Sequence, residues 1–272
     1  MHRLSSLLQH MRPAAAAAAA ATAELRGGII GLDTSHSVAF TKALNDGDKR
    51  AELHGCRIVA ATQRGSADIE SSVERIPGYS EEVEAAGVEV VGTIAELISM
   101  CDVVFLETND GRPRLAQALE VIDAGLPMFI DKPVSASLSD TLAIYAAAKA
   151  KGVPIFSASS LRWAEGCAAA RAGEFGLVLG CDAFSPCALE ETQPDLFWYG
   201  IHGVEMLFTA MGAGCATVAR TSTEETDVCV GAWSDGRVGT FRGMRNVAAY
   251  GSAKTALMDH VLYCFPLFWG YF

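Results

Sequence analysis

Between Arg26 and Ser157 short apolar runs alternate with helical stretches, and no other feature constrains the fold as tightly. Gly28–Leu32 is an apolar run closed by a glycine-containing turn, and Val38–Leu44 reads as the helix behind it. Arg57–Thr62, Val88–Val91, Asp102–Thr108, Met128–Ile130 and Pro154–Ser157 read as five further strands. Glu81–Ala86, Ile94–Met100, Arg114–Ala124 and Ser135–Lys151 read as helices, and the polar stretch Gln63–Tyr79 holds a helix start at Ser66–Asp68. The last helix is the best marked: Ser and Asp open it and Lys closes it, as the helix dipole prefers, and Gly152 stops it. Short apolar strands separated by helices form parallel βαβ units, whose right-handed crossovers wind them into one sheet covered on both faces. In such a sheet ligands bind at the carboxyl ends of the strands. Chemistry is therefore expected at the tips after strands one, two, four and five.

After Leu161 the rhythm changes. Val178–Ser185 reads as a strand, Tyr199–Met211 as a helix, and Ala216–Arg220, Val228–Ala232 and Val238–Arg242 as strands of an antiparallel sheet. The expected fold is α/β: a Rossmann-type doubly wound parallel sheet, followed by a smaller α+β domain that reads as truncated. The expected division is a leader over residues 1–26, a dinucleotide-binding domain over 27–157, and a substrate and oligomerisation domain over 158–272.

Composition narrows the partners. A chain of 272 residues that is 50% hydrophobic can bury one large or two ordinary cores. Its net charge of −11 argues against a nucleic-acid backbone or an anionic membrane surface, both of which need clustered Lys and Arg. Eight cysteines are scattered without a Cys-x-x-Cys pair or zinc-finger spacing, which speaks against a structural metal or a disulfide framework. The leader carries Arg3 and Arg12, no acid before Glu24, and an alanine tract over Ala14–Ala21. It reads either as a disordered or partly helical tail or as an organelle transit peptide. The expected location is accordingly cytoplasmic, or an organelle matrix on the second reading. No run approaches the ~20 strongly apolar residues of a membrane span.

The first turn is Gly31-Leu32-Asp33-Thr34-Ser35-His36. A dinucleotide fingerprint asks for glycine at the first, third and sixth of these places, so that backbone and helix amides can reach the pyrophosphate. Gly31 satisfies the first; Asp33 and His36 occupy the others. Asp33, Thr34 and Ser35 are each good N-caps. A capping carboxylate would fill the partial-positive site that a pyrophosphate needs, so capping and cofactor binding compete here. The second strand ends Thr62-Gln63-Arg64-Gly65-Ser66 without the acid that holds the adenosine ribose. Arg64 and Ser66 could hold a 2′-phosphate, favouring NADP slightly over NAD; the alternative is a surface arginine in a polar loop.

Cys101–Trp163 contains, in order, DVVFLETNDGRPR, EVIDAGLPMFIDKP and FSASSLRW, and later comes WYGIHGVE over Trp198–Glu205. This succession resembles the Gfo/Idh/MocA family of glucose–fructose oxidoreductase and inositol dehydrogenase-like proteins, over roughly Gly27 to Ala248. Asp131-Lys132-Pro133 stands where that family has Glu-Lys-Pro, and WYGIHGVE resembles its His-bearing helix. The resemblance implies an NAD(P)-dependent oxidoreductase that moves a hydride between nicotinamide and a sugar, polyol or related hydroxy compound. By position, Lys132 would lie beside the nicotinamide, Pro133 would turn it inward, and His202 would be its acid/base partner. Gly31, Asp33, Thr34, Ser35, His36, Arg64, Thr108, Asn109, Asp131, Lys132 and Pro133 would line the cofactor, and Arg162, Tyr199 and His202 the substrate, with no metal. The chemistry agrees: removing hydride from an alcohol requires its proton to leave, and a desolvated lysine can assist. The bland readings are a surface Lys132, a core His202, and Tyr199 packed beside Trp198; Glu205 either orients the His202 imidazole or is solvated.

The departures from the family pattern favour an alternative, a non-catalytic nucleotide- or sugar-binding paralogue. Trp198 stands where an Asp is usual four residues before the pocket His, Asp195 is out of helical register, and Arg114 replaces a His after strand four. Beyond Ala248 the text MDHVLYCFPLFWGYF does not follow the family. It is a genuine terminal strand or a reading error that leaves a sheet edge prone to association. The expected partners are a small-molecule substrate and a second copy of the chain.

Overall fold

The structure is a computed structural model and describes residues 24–47, 53 and 55–245. The leader reading over residues 1–23 and the C-terminal reading over 246–272 lie outside them. The chain divides after Ser157 into two compact units.

The first unit contains β1 (Leu25–Ile30), α1 (Ser35–Asn45), β2 (Cys56–Thr62), α2 (Glu70–Ala85), β3 (Glu89–Val90), α3 (Ile94–Met100), β4 (Val103–Leu106), α4 (Arg114–Asp123), β5 (Met128–Ile130), α5 (Leu138–Lys151) and β6 (Ile155–Phe156). The six strands form one parallel sheet in the order β3-β2-β1-β4-β5-β6. This is the doubly wound arrangement expected, with its switch point between β1 and β4. β4 and β5 are buried along their whole length because helices cover both faces. One core layer joins Ile29, Phe40, Leu44, Ile58, Val83, Phe105 and Phe129. The opposite layer joins Ile30, Leu97, Leu106, Val121, Ile130 and Ile144. Each such side chain contributes roughly 1.5–3 kcal/mol on leaving water.

Several helical boundaries differ from the sequence reading, and two of the differences have a clear cause. α1 starts at Ser35 rather than Val38, because Thr34 caps it. The expected Glu81–Ala86 helix and the polar stretch before it are one helix, α2, which runs through Pro77. Tyr79 and Val83 pack on the core after the proline, and Ser72 is buried before it. Tertiary anchoring outweighs the local penalty.

The second unit opens with a 3₁₀ turn at Ser160–Trp163, then α6 (Glu165–Ala172), β7 (Gly180–Pro186), a 3₁₀ turn at Asp195–Phe197, α7 (Ile201–Met211), β8 (Cys215–Ser222), β9 (Thr226–Trp233) and β10 (Val238–Met244). The three strands expected in an antiparallel sheet are found so, and a fourth makes the sheet mixed. β8, β9 and β10 are antiparallel neighbours, but β7 pairs with β10 in parallel, giving the order β7-β10-β9-β8. The crossover from β7 through α7 covers one face of this sheet. Gly203 lets α7 close on it, since a Cβ there would lie 2.3 Å from the Phe241 ring. Ala183, Leu207, Met211, Trp233 and Phe241 form the core. α6 was not foreseen; its Glu-Gly-Cys-Ala-Ala-Ala-Arg-Ala sequence carries no clear apolar stripe.

Candidate cofactor and substrate sites

The tips of β1, β4 and β5 bring together most of the residues expected at a cofactor. Gly31 follows β1 with φ +101° and sits against β4: a Cβ would come within 2.3 Å of the Thr108 backbone nitrogen. Only glycine has both the conformation and the clearance. Thr34 is the N-cap of α1, its hydroxyl accepting from His36 N at 3.4 Å, and Ser35 is exposed in the first turn.

Asp33 does not cap the helix. Its carboxylate is fully buried and accepts from Ser72 Oγ at 2.7 Å and from the Asn109 backbone N–H at 2.9 Å. Burial raises its pKa above the usual carboxylate range, against the lowering effect of those two hydrogen bonds. The competition expected between an Asp33 cap and a pyrophosphate is therefore resolved: the carboxylate points into the protein, and a neutral threonine stands at the helix N-terminus.

Arg114 organises the rest. It is 1% exposed, and its guanidinium donates to three backbone carbonyls, those of Thr108, Asp131 and Pro133. One side chain thus ties the end of β4 to the carbonyls of the residues on either side of Lys132. Burial lowers the Arg114 pKa, and the nearby Asp131, Glu107, Asp33 and Asp110 oppose that shift. The Lys132–Pro133 peptide is cis. Lys132 itself is half-buried at the tip of β5. Beside it, His36 Nδ1 lies 2.8 Å from Asp131 Oδ2 and 4.0 Å from Glu107 Oε2.

A second group links the loop after β2 to the loop after β4. Ser66 Oγ donates to Asp110, and Arg112 bonds Asp110 and, at 2.7 and 2.9 Å, Asp68. Arg112 lowers the Asp68 pKa through that pair. Arg64 lies in the same post-β2 loop, exposed, with Nη2 3.3 Å from the Gly92 carbonyl.

The expected substrate residues lie in the second unit. His202, near the start of α7, is 7% exposed, with Nδ1 2.7 Å from Ser159 Oγ. Glu205 accepts from the Ser159 N–H at 2.8 Å and from Arg162 Nε at 2.6 Å. Arg162 is thus part of an ion pair that fixes the 3₁₀ turn to α7. The Tyr199 ring meets the His202 ring edge-on at 5.6 Å and is 39% exposed. Asp195 pairs with Arg220 and not with α7.

Sequence reasoning missed Arg114 as the clamp, Glu107 and Ser72 as buried partners, and the Ser66–Asp110–Arg112–Asp68 link. A charged residue opening α4, and acids in a segment otherwise fully apolar, were the available signals.

The fold and these tips define a Rossmann-type α/β domain joined to a smaller mixed-sheet unit. The family model described as "Oxidoreductase family, NAD-binding Rossmann fold" (Gfo/Idh/MocA) matches residues 25–159. Through this domain the chain belongs to the Gfo/Idh/MocA oxidoreductase family. No curated protein matches the chain significantly. Among solved structures, GenD2 from gentamicin A biosynthesis, in complex with NAD, is similar with a TM-score of 0.66 at 18% identity, covering 82% of this chain and 66% of that one. An oxidoreductase from Agrobacterium radiobacter, in complex with NAD+, L-tartaric acid and magnesium, gives 0.65 at 18%, covering 84% and 68%. The UDP-N-acetylglucosamine 3-dehydrogenase GnnA from Acidithiobacillus ferrooxidans gives 0.65 at 15%, covering 83% and 69%. At these identities the likeness is one of fold. The chain spans about two thirds of the length of the structures it matches.

The residues present fit a dinucleotide in three respects. Gly31 keeps the tight turn against β4, the cap of α1 is neutral, and the Asn109 Nδ2 donor at the tip of β4 is buried with no hydrogen-bond partner among the described residues. The ribose acid is missing, as the sequence showed. Among the described residues no helix is long and apolar enough to cross a membrane.

Proposed function

We propose that this chain is an NAD(P)-dependent oxidoreductase acting on a hydroxyl-bearing carbon of a sugar, polyol or related compound. The observation that carries this is the Asp131-Lys132-Pro133 tip of β5, clamped on both sides of Lys132 by Arg114 next to the Gly31 turn. A buried guanidinium spent on backbone carbonyls is costly unless the geometry it fixes matters. In this reading Gly31, Thr34, Ser35, Thr108 and Asn109 hold the dinucleotide, and Arg64 with Ser66 takes a 2′-phosphate where NADP is used. The cofactor, when bound, supplies the hydride chemistry. Lys132 Nζ polarises the substrate hydroxyl and takes its proton. His202, its ring held by Ser159, is the second acid/base group, and Arg162 is an anchor for a substrate oxygen.

A second reading, a binding paralogue without turnover, is favoured by one observation: the post-β2 and post-β4 loops are tied together by Ser66–Asp110 and Asp68–Arg112 over the end of β1, where a dinucleotide crosses. Thermal unfolding of the chain with NAD, NADH, NADP and NADPH separates the readings. A ligand that binds only the folded state raises the midpoint. The enzyme reading expects a rise with one nucleotide pair, a larger loss of the NADP shift than of the NAD shift in Arg64→Ala, and a Lys132→Ala variant that keeps the shift but loses turnover on a polyol or sugar panel. A cooperative transition that none of the four nucleotides moves would overturn both the cofactor and the activity.

A further inference from the structure

The three strand tips also place His36, Glu107 and Asp131 together in a way that neither the hydride chemistry nor the fold requires. Each offers one ligand atom, and these atoms lie within 4.8 Å of one another, with His36 Nδ1 2.8 Å from Asp131 and 4.0 Å from Glu107. Ligands held about 2.1 Å from a divalent ion stand about 3.0 Å apart when adjacent and about 4.2 Å when opposite. The two separations from His36 Nδ1, 2.8 and 4.0 Å, fall close to these values. We infer that His36, Glu107 and Asp131 form a binding site for a divalent first-row transition ion.

Three features support it. The donor set of one imidazole and two carboxylates suits Mn²⁺ to Zn²⁺, whereas Mg²⁺ and Ca²⁺ gain little from an imidazole. Glu107 and Asp131 are 0% and 2% exposed, while the His36 side chain is 21% exposed. The carboxylates therefore form the floor, and further positions for water or an oxygen ligand open on the His36 side. Arg114, bonded to the Asp131 carbonyl, holds one ligand's backbone in place, as outer partners do in metal sites. His36, which costs the turn a glycine, acquires a reason for its position.

The site stands independently of the proposed reaction, and its test needs no nucleotide or substrate. The chain is stripped with a chelator and titrated with Mn²⁺, Zn²⁺, Co²⁺ and Mg²⁺, reading the heat of binding, the unfolding midpoint and the visible spectrum of Co²⁺. The expected result is one equivalent of a transition ion bound, a raised midpoint, a Co²⁺ band in the visible, and little response to Mg²⁺. His36→Ala and Glu107→Gln should each weaken the ion by more than about tenfold. His36→Gln is the second variant should the alanine form not fold. Absence of binding up to millimolar ion overturns the site. So does unchanged affinity in the folded His36 variant, which would put the ion on another histidine.

Discussion

Asp33 occupies a place where a dinucleotide turn ordinarily has glycine, and its surroundings decide whether that matters. A carboxylate at the helix N-terminus would repel a pyrophosphate; the Asp33 carboxyl is instead directed into the protein, against Ser72 and Asn109. The raised pKa has a consequence for stability. In the unfolded chain Asp33 titrates near the ordinary value of about 3.9, and in the folded protein it titrates higher. Between the two, the folded state keeps a proton that the unfolded state has lost, so stability falls as pH rises through that window and then levels off. Asp33→Asn removes the ionisation while keeping an acceptor for the Asn109 N–H. The advantage of this variant over the native protein should be least at about pH 4, grow as pH rises above it, and then level off. Urea unfolding of both proteins across that range measures it. If the difference is flat, or if the native protein gains as pH rises, the buried carboxyl does not hold its proton as described.

At the scale of elements, the first turn of α4 is bound to the tips of β4 and β5 through one side chain. Arg114 satisfies the Thr108, Asp131 and Pro133 carbonyls and lies close to four carboxylates. Arg114→Met leaves those groups buried without compensation and should cost about 3–5 kcal/mol in urea unfolding. Arg114→Lys should recover only part of this, because an ammonium keeps the charge but lacks the planar fork that reaches several carbonyls at once. Equal losses for the two variants would mean the charge is irrelevant; no loss in either would remove the clamp from the account.

The same elements show what was legible in the sequence. The apolar strands β1, β2, β4 and β5 were placed because a doubly wound sheet buries both strand faces, which leaves an uninterrupted signature. Asp131-Lys132-Pro133 was found because it resembles the family's Glu-Lys-Pro at the end of such a strand. α2 was split because Gln63–Tyr79 reads as a polar stretch, although Tyr79 and Val83 join its two parts by packing on the core. The parallel pairing of β7 with β10 was hidden, since alternation along a strand is silent about which neighbour it takes. Arg114 and Glu107 were not marked as partners of the β5 tip for a related reason. Their partners lie on other strand tips, and spacing along the chain does not encode who meets at the end of a sheet.

At the scale of the molecule, the cores of the two units are drawn from separate stretches of chain. The two layers of the first use residues between Leu25 and Phe156, and those of the second use residues from Leu161 onward. The family match ends at residue 159, close to the division after Ser157. An open six-stranded sheet with both faces covered carries its own hydrophobic driving force. Residues 24–159 expressed alone should therefore unfold in one cooperative step, with a urea dependence of about 1–3 kcal/mol per molar. They should also retain the ion bound by His36, Glu107 and Asp131, since all three ligands and the Arg114 that supports them lie within that stretch. Circular dichroism and fluorescence should report the same midpoint. Divergent midpoints, or a gradual loss of signal, would show that the first unit depends on the chain beyond residue 159. Cooperative unfolding without ion binding would leave the fold argument intact and remove the metal site alone.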